Sequence, residues 1–334
     1  MRSTAKRVWG LLVLSAALGA IVGWQRAPGD NGPAYRGIER MQVRFASVEE
    51  GRAALGADDE WIALTSDLQR AALMGTAPPA SREAFRAWQA ANVLPWTDHD
   101  RQRWQTGLAA LAPKLNTLQL PLPAEILLVR TSGRESAHIP HTRGHTIVLP
   151  TGFHPPGFSD VEVLAHEIFH VVSRDAPALA TRLYALIGFE PAAELEWPAD
   201  WLPLRIADAD APQHRHLMRL THAGEAFAVM PLVVASHSPL EPDEPITSVM
   251  ETRLLRVTPG RNGEPTRAVL RDGRPLWHSS EDLPEFERRI GPNTDYTIHP
   301  EEAMADNFMF VVSGRPVADA ALLQRIEAAL RQRY

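Results

Sequence analysis

The chain has 334 residues, no cysteine, 45% hydrophobic and 22% charged residues, and a formal net charge of −6. This composition suits one large folded domain or two modest ones and excludes disorder throughout. With no cysteine there are no disulfides, thiolate-held metals, iron–sulfur clusters, thiol catalysis or lipid-modified cysteine, so any metal must be held by His and carboxylate. No basic stripe is present to form a nucleic-acid footprint.

Residues 1–30 read as a targeting segment: Arg2, Lys6 and Arg7 precede the uncharged run Val8–Trp24, and Arg26 follows it. The run is long for a secretory core and short for a spanning helix, so a cleaved signal peptide and an uncleaved membrane anchor both remain open. Either places the body extracytoplasmic, in the periplasm, anchored at the inner membrane or secreted, because the basic flank keeps the N-terminus inside. The linker Ala27–Pro33 follows. Residues 31–120 read as a helical region, with amphipathic stretches at Asp59–Met74, Ser81–Ala91 and Asp98–Leu111. Residues 121–334 read as a catalytic domain. Ile126–Val129 and Thr146–Leu149 are expected strands, the second placed at a sheet edge by Pro150. Ser159 and Glu162 make a capping box for a helix to Arg174. Ala178–Ile187 is a second helix, ended by Gly188. Residues of about 222–290 look β-rich, and helical patterns return at Pro300–Val312 and Val317–Arg333. The expected fold class is α+β.

His166-Glu167-Ile168-Phe169-His170 lies within the Ser159–Arg174 helix. Positions i and i+4 share a helix face, so His166 and His170 present two imidazoles to one point, and Glu167 stands beside them as a base. Zn2+ held this way needs a third protein ligand and an open position. Glu302 and Asp306 share one face of the Pro300–Val312 helix, so Glu302 is the leading third ligand. Asp306 is then the carboxylate that orients a ligand histidine. Glu190, closer to His170 and followed by Glu194, is the rival ligand.

His166, Glu167 and His170 with Glu302-x-x-x-Asp306 resemble the gluzincins, the thermolysin-like zinc metallopeptidases. The chain is also similar to bacterial secreted proteins carrying an H-P-E-E-x-x-A-D-N-F segment. The resemblance covers about residues 125–310. It implies a zincin-like core, a small twisted sheet over the active-site helix, with Glu302 as zinc ligand and Asp306 supporting His166. It also implies a strand along His145–Thr151 that pairs with an extended peptide or protein substrate. The spacer from His170 to Glu302 is much longer than in many gluzincins.

In this reading Glu167 takes a proton from water activated by the metal and passes it to the leaving amine. The oxyanion needs a further donor, with Tyr296, His299 and His222 as candidates. His138, His141 and His145 read as a solvated loop, because no carboxylate joins them at ligand spacing. A zinc amidase acting on cell-wall peptides, and a non-catalytic anchored module with a structural or lost zinc site, are the alternatives.

Overall fold

The computed structural model describes residues 35–38, 41–76, 79–118, 120–241 and 244–332. Residues 1–30, the expected targeting segment, lie outside the described residues. Among the described residues no helix is long and apolar enough to cross a membrane.

The described residues begin with β1 (Tyr35–Ile38) and β2 (Met41–Phe45), then α1 (Val48–Leu55), α2 (Glu60–Leu64), α3 (Asp67–Met74), α4 (Arg82–Ala91) and α5 (Asp98–Leu118). Next come β3 (Glu125–Thr131), β4 (His141–Arg143), β5 (Thr146–Pro150), α6 (Asp160–Asp175) and α7 (Pro177–Ala185). Short β6 (Glu190–Pro191) and β7 (Leu195–Glu196) lead to long β8 (His216–His222) and β9 (Glu225–Ala235). One turn, α8 (Ile246–Val249), precedes β10 (Met250–Thr258), β11 (Thr266–Ala268), β12 (Leu270–Arg271), β13 (Arg274–Pro275) and β14 (Trp277–His278). The last elements are α9 (Pro284–Ile290), α10 (Pro300–Ser313) and α11 (Ala320–Leu330).

Helices and strands are mixed, in two main sheets. The first has five strands in the order β1-β2-β3-β5-β4, with β2, β3 and β5 parallel and the outer pairs antiparallel. Its central strands are apolar on both faces because both faces are covered. Ile126, Leu128, Ile147 and Leu149 face the core formed with α5, α6 and α10, whereas Val129 and Val148 pack with Leu55 and Val93 on the other side. The second sheet runs β6-β8-β9-β10-β11-β7, with β14 also on β10.

Four expectations change. The region 31–120 is not purely helical, since β1 and β2 form one side of the first sheet. The Asp59–Met74 stretch is two helices. Ser66 caps the second through Gln69 N–H, and its hydroxyl donates to the Arg205 carbonyl at 2.6 Å, so the chain turns there. The β-rich region begins before residue 222, with β6 and β8. Finally, β5 is interior rather than an edge, paired with β3 on one side and β4 on the other. Pro150 is tolerated because it ends the strand, and the ladder continues through Thr151 N–H to the Thr131 carbonyl at 2.9 Å.

The capping box is present: Ser159 accepts from Glu162 N–H, and the Glu162 carboxylate accepts from Ser159 N–H at 2.8 Å. It starts α6 in register for Leu164, Ile168, Phe169, Val171 and Val172 to be buried. Each such side chain stabilises the fold by about 1.5–3 kcal/mol. Helix α5 crosses α6 at Gly107, where a Cβ would stand 2.9 Å from Leu164 Cδ1. Helix α10 is buried from Pro300 to Val312 on every face. A helix apolar all round would suit that position, yet this one carries Glu301, Glu302, Asp306 and Asn307 into the core. Buried carboxylates persist only with partners.

Candidate metal centre

Those partners are on α6. Asp306 Oδ1 lies 3.1 Å from His166 Nδ1, and Glu302 Oε2 lies 3.2 Å from His166 Nε2. Glu301 Oε1 lies 2.8 Å from His170 Nδ1, and Glu302 Oε1 lies 3.7 Å from His170 Nε2. Moving forward along α10 thus moves backward along α6, so the two helices pack antiparallel. Each histidine has its Nδ1 on an outer carboxylate and its Nε2 turned to Glu302. The outer bonds put the proton on Nδ1 and leave Nε2 as the donor atom toward the shared point.

The spacing fits a metal better than it fits hydrogen bonds. Ligand atoms about 2.0–2.2 Å from a tetrahedral zinc are separated by about 3.4 Å. The two Nε2–Oε distances, 3.2 and 3.7 Å, bracket that value, and the longer one exceeds any hydrogen bond. His170 Nε2 and Glu302 Oε1 are buried with no hydrogen-bond partner. In a buried site such orphans cost stability unless another group satisfies them. His166, His170 and Glu302 together form a set whose donor atoms lie within 4.8 Å of one another.

Burial pushes the Glu302 carboxyl up to about 8, helped by nearby Asp208. It pushes Glu301 up to about 8 against the Ser173 hydroxyl, which donates to it. Tyr184 also donates to Glu301. Burial lowers His170 well below its ordinary value, with His166 and Arg174 adding repulsion. Burial acts in the same direction on His166, but its bonds to Asp306 and Glu302 outweigh it, and His166 is raised well above the ordinary value.

These directions make metal-free stability depend on pH. Glu301 and Glu302 hold protons up to about 8 in the fold but only to 4.5 otherwise. Their contribution is present at low pH and lost as pH rises through about 8. His141, His170, His214 and His299, lowered by burial, lose theirs only as pH falls below 6.5. Between pH 7 and 9 the carboxyls therefore dominate, and the chelator-treated protein is expected to unfold at lower temperature at pH 9 than at pH 7. Zinc should shrink that decline by taking the place of the protons. Scanning calorimetry with and without zinc checks both statements.

Glu167 is buried beside this set, and Thr142 Oγ1 donates to its Oε2 at 2.9 Å. Burial raises its carboxyl to about 7, with His166 and Thr142 opposing. Tyr296 lies over the His166 ring, centroids 6.4 Å apart and planes 30° apart. Its hydroxyl, raised well above 10 by burial and then by Glu302, stays protonated as a donor. His299 has a different task. Its Nδ1 accepts from Glu301 N–H at 3.1 Å as the cap of α10, and its Nε2 bonds the Gln213 carbonyl at 3.1 Å. Both ring nitrogens are engaged by backbone, so it holds α10 instead of facing a substrate.

The rival ligands are elsewhere. Glu190 sits in β6 and pairs with Arg219, while Glu194 accepts from His214 N–H and pairs with Arg215. His222 is exposed at the β8–β9 turn, its ring 6.5 Å from His278. Of the three clustered histidines, His141 is buried rather than solvated, and His145 pairs with Asp175 at 2.7 Å.

Sequence reasoning missed Glu301, whose position beside Glu302 reads as an acidic first turn complementing the helix dipole. If the set holds zinc, changing Glu301→Gln is expected to lower its affinity by about 10–100-fold, as loss of a supporting carboxylate does. The near-isosteric amide is expected to leave the fold intact. Competition with a chromophoric chelator measures it. It also missed Asp208 and Asp210, which stand in an irregular segment beside the site.

Comparison with family models, with curated proteins and with solved structures gives no match.

Proposed function

We propose that the chain is a zinc-dependent hydrolase of peptide bonds, a metallopeptidase with a zincin-like core. The observation that carries this reading is the approach of His166 Nε2 and His170 Nε2 to the two Glu302 oxygens, at 3.2 and 3.7 Å, with His170 Nε2 and Glu302 Oε1 buried and without a hydrogen-bond partner. His166, His170 and Glu302 would hold the zinc, with Asp306 and Glu301 fixing the two rings. When bound, zinc lowers the pKa of a water and polarises the scissile carbonyl.

The chain's own groups carry the proton traffic. Glu167 accepts the proton of the attacking water and delivers it to the departing amine. Thr142, donating to Glu167, fixes which carboxylate oxygen faces the reaction. Tyr296 supplies the neutral O–H that steadies the negative charge developing on the carbonyl oxygen. A carboxylate beside the ligands but outside their set favours a catalytic over a purely structural metal, since structural sites are closed by four ligands and need no base. The apolar segment of residues 1–30 with its basic flanks supports an extracytoplasmic setting, with the substrate a peptide or protein.

The test is metal analysis of the purified chain followed by incubation with a peptide library. About one zinc per chain and discrete cleavage, abolished by a chelator and restored by zinc, is the expected result. A folded chain that takes up no zinc would sink the proposal.

A further inference from the structure

The carboxylates of Asp208 and Asp210 border the same space as the metal set. Oxygens of Asp208, Asp210 and Glu302 lie within 4.8 Å of one another, and so do donor atoms of Glu167, His170 and Asp210. His170, fully buried with Nε2 unpartnered, and Glu302, 2% exposed with Oε1 unpartnered, each belong to one of these groups. Among the described residues no side chain forms a hydrogen bond or ion pair with either aspartate's carboxylate. Asp210 Oδ1 accepts only a backbone N–H, from Thr142 at 2.6 Å, and Asp208 Oδ1 accepts that of Asp210 at 3.0 Å. Arg174 reaches the Asp210 carbonyl, not its carboxylate.

A cation is the natural occupant, and the donor count decides which kind. A hard divalent ion wants six or more oxygens, and this group offers three carboxylates. Both oxygens of Glu302 are turned to the two histidines, so Glu302 has none to spare for a second ion. What remains is a pair of carboxylates, which suits an ammonium group with its three N–H donors.

The same segment closes the sheet. With β5 interior, the exposed side of the first sheet beside α6 is β4, only three residues long. Its outward N–H, that of Thr142, is bonded to Asp210, and Arg174 lies 3.5 Å from the Thr142 carbonyl. A substrate cannot extend along β4 by strand pairing. With strand pairing closed off, a peptide whose end lies at the metal set would meet the carboxylates there.

We propose that Asp208 and Asp210 form the subsite for the free α-ammonium group of a peptide, so that the protein removes residues from peptide N-termini. This rests on the zinc-peptidase reading above. In a peptide the α-amine is one tetrahedral carbon from the first scissile carbonyl. The pair of carboxyl groups adjoining Glu167 and Glu302 therefore lies where that amine falls when the carbonyl faces the metal set. Burying an unpaired ammonium is unfavourable, and a blocked amine forfeits the pairing and leaves the aspartates unsatisfied.

The experiment is calorimetric titration of the zinc-loaded chain with leucine hydroxamate and with N-acetyl-leucine hydroxamate, which share the metal-binding group and differ in the amine. It is repeated on Asp208→Asn and Asp210→Asn, and cleavage of a free and an N-acetylated tripeptide is measured in parallel. The free-amine probe is expected to bind the parent at least about tenfold more tightly. Each near-isosteric variant should reduce that preference without weakening the acetylated probe, and the acetylated tripeptide should resist cleavage. Equal binding of the two probes, a preference unchanged in both variants, or equal cleavage of the two peptides would overturn the subsite while leaving the peptidase standing. A chain that holds zinc and prefers the free-amine probe but cleaves no peptide keeps the subsite and fails the peptidase. A second zinc per chain lost in Asp208→Asn would show that a metal ion, not an ammonium, is the occupant.

Discussion

Exchanging Glu167 for Gln is expected to cut peptide hydrolysis by about 10²–10⁴-fold, the usual contribution of a positioned general base, while zinc content stays at the parent level. The two effects separate because Glu167 lies beside the ligand set without belonging to the His166–His170–Glu302 group. Gln keeps the size of the side chain and an oxygen that can still accept from Thr142 Oγ1, but it cannot take a proton. Folding should not suffer. The carboxyl is buried and raised to about 7, so an amide removes a group that the interior disfavours in its charged form. The raised value also sets the direction of the pH profile: activity falls as pH drops through the pKa of this carboxyl, and a bound dication moves that limb to 7 or below. Rates on a quenched peptide, with metal analysis of the same preparation, check both parts. A Gln variant within tenfold of the parent would remove Glu167 from the reaction.

The parts of the site that were legible in sequence follow a helical period. His166 and His170 are one turn apart, as are Glu302 and Asp306, and such pairs must share a face whatever surrounds them. The capping box at Ser159–Glu162 likewise depends on local geometry alone. Misreadings occur where tertiary contacts decide. Pro150 signals an edge by its missing N–H, yet at the end of β5 no ladder bond is asked of it. Met41–Phe45 is a short strand with Arg44 in it, and its pairing with β3 and β1 makes it one. His299 invites a catalytic reading next to Pro300, but both its nitrogens serve the backbone around the start of α10. Asp208 and Asp210 carry no pattern at all. They matter because a segment far from the motif in sequence bonds to Thr142 and is carried to the metal set with it.

Replacing Glu302 with Ala is expected to reduce zinc affinity by more than about 100-fold, beyond the upper end for a supporting residue, because it takes away one of the three protein ligands we propose. Two histidines one turn apart still present nitrogens, so weak binding survives at high zinc and is lost on dialysis. The metal-free variant should fold at least as well as the metal-free parent. Burial and its acidic neighbours hold the Glu302 carboxyl up to about 8, and an interior that raises a carboxyl so far is one its ionised form destabilises. The two proteins part when zinc is added. At a zinc concentration 100 times the dissociation constant the parent gains about 2.7 kcal/mol, whereas the variant at the same concentration gains much less. The unfolding temperature should accordingly rise with zinc in the parent and barely move in the variant. If the variant instead keeps its zinc through dialysis and shows the parent's thermal shift, Glu302 is not the third ligand. The spacing of its oxygens to His166 and His170 would then reflect shared protons in the core and nothing more.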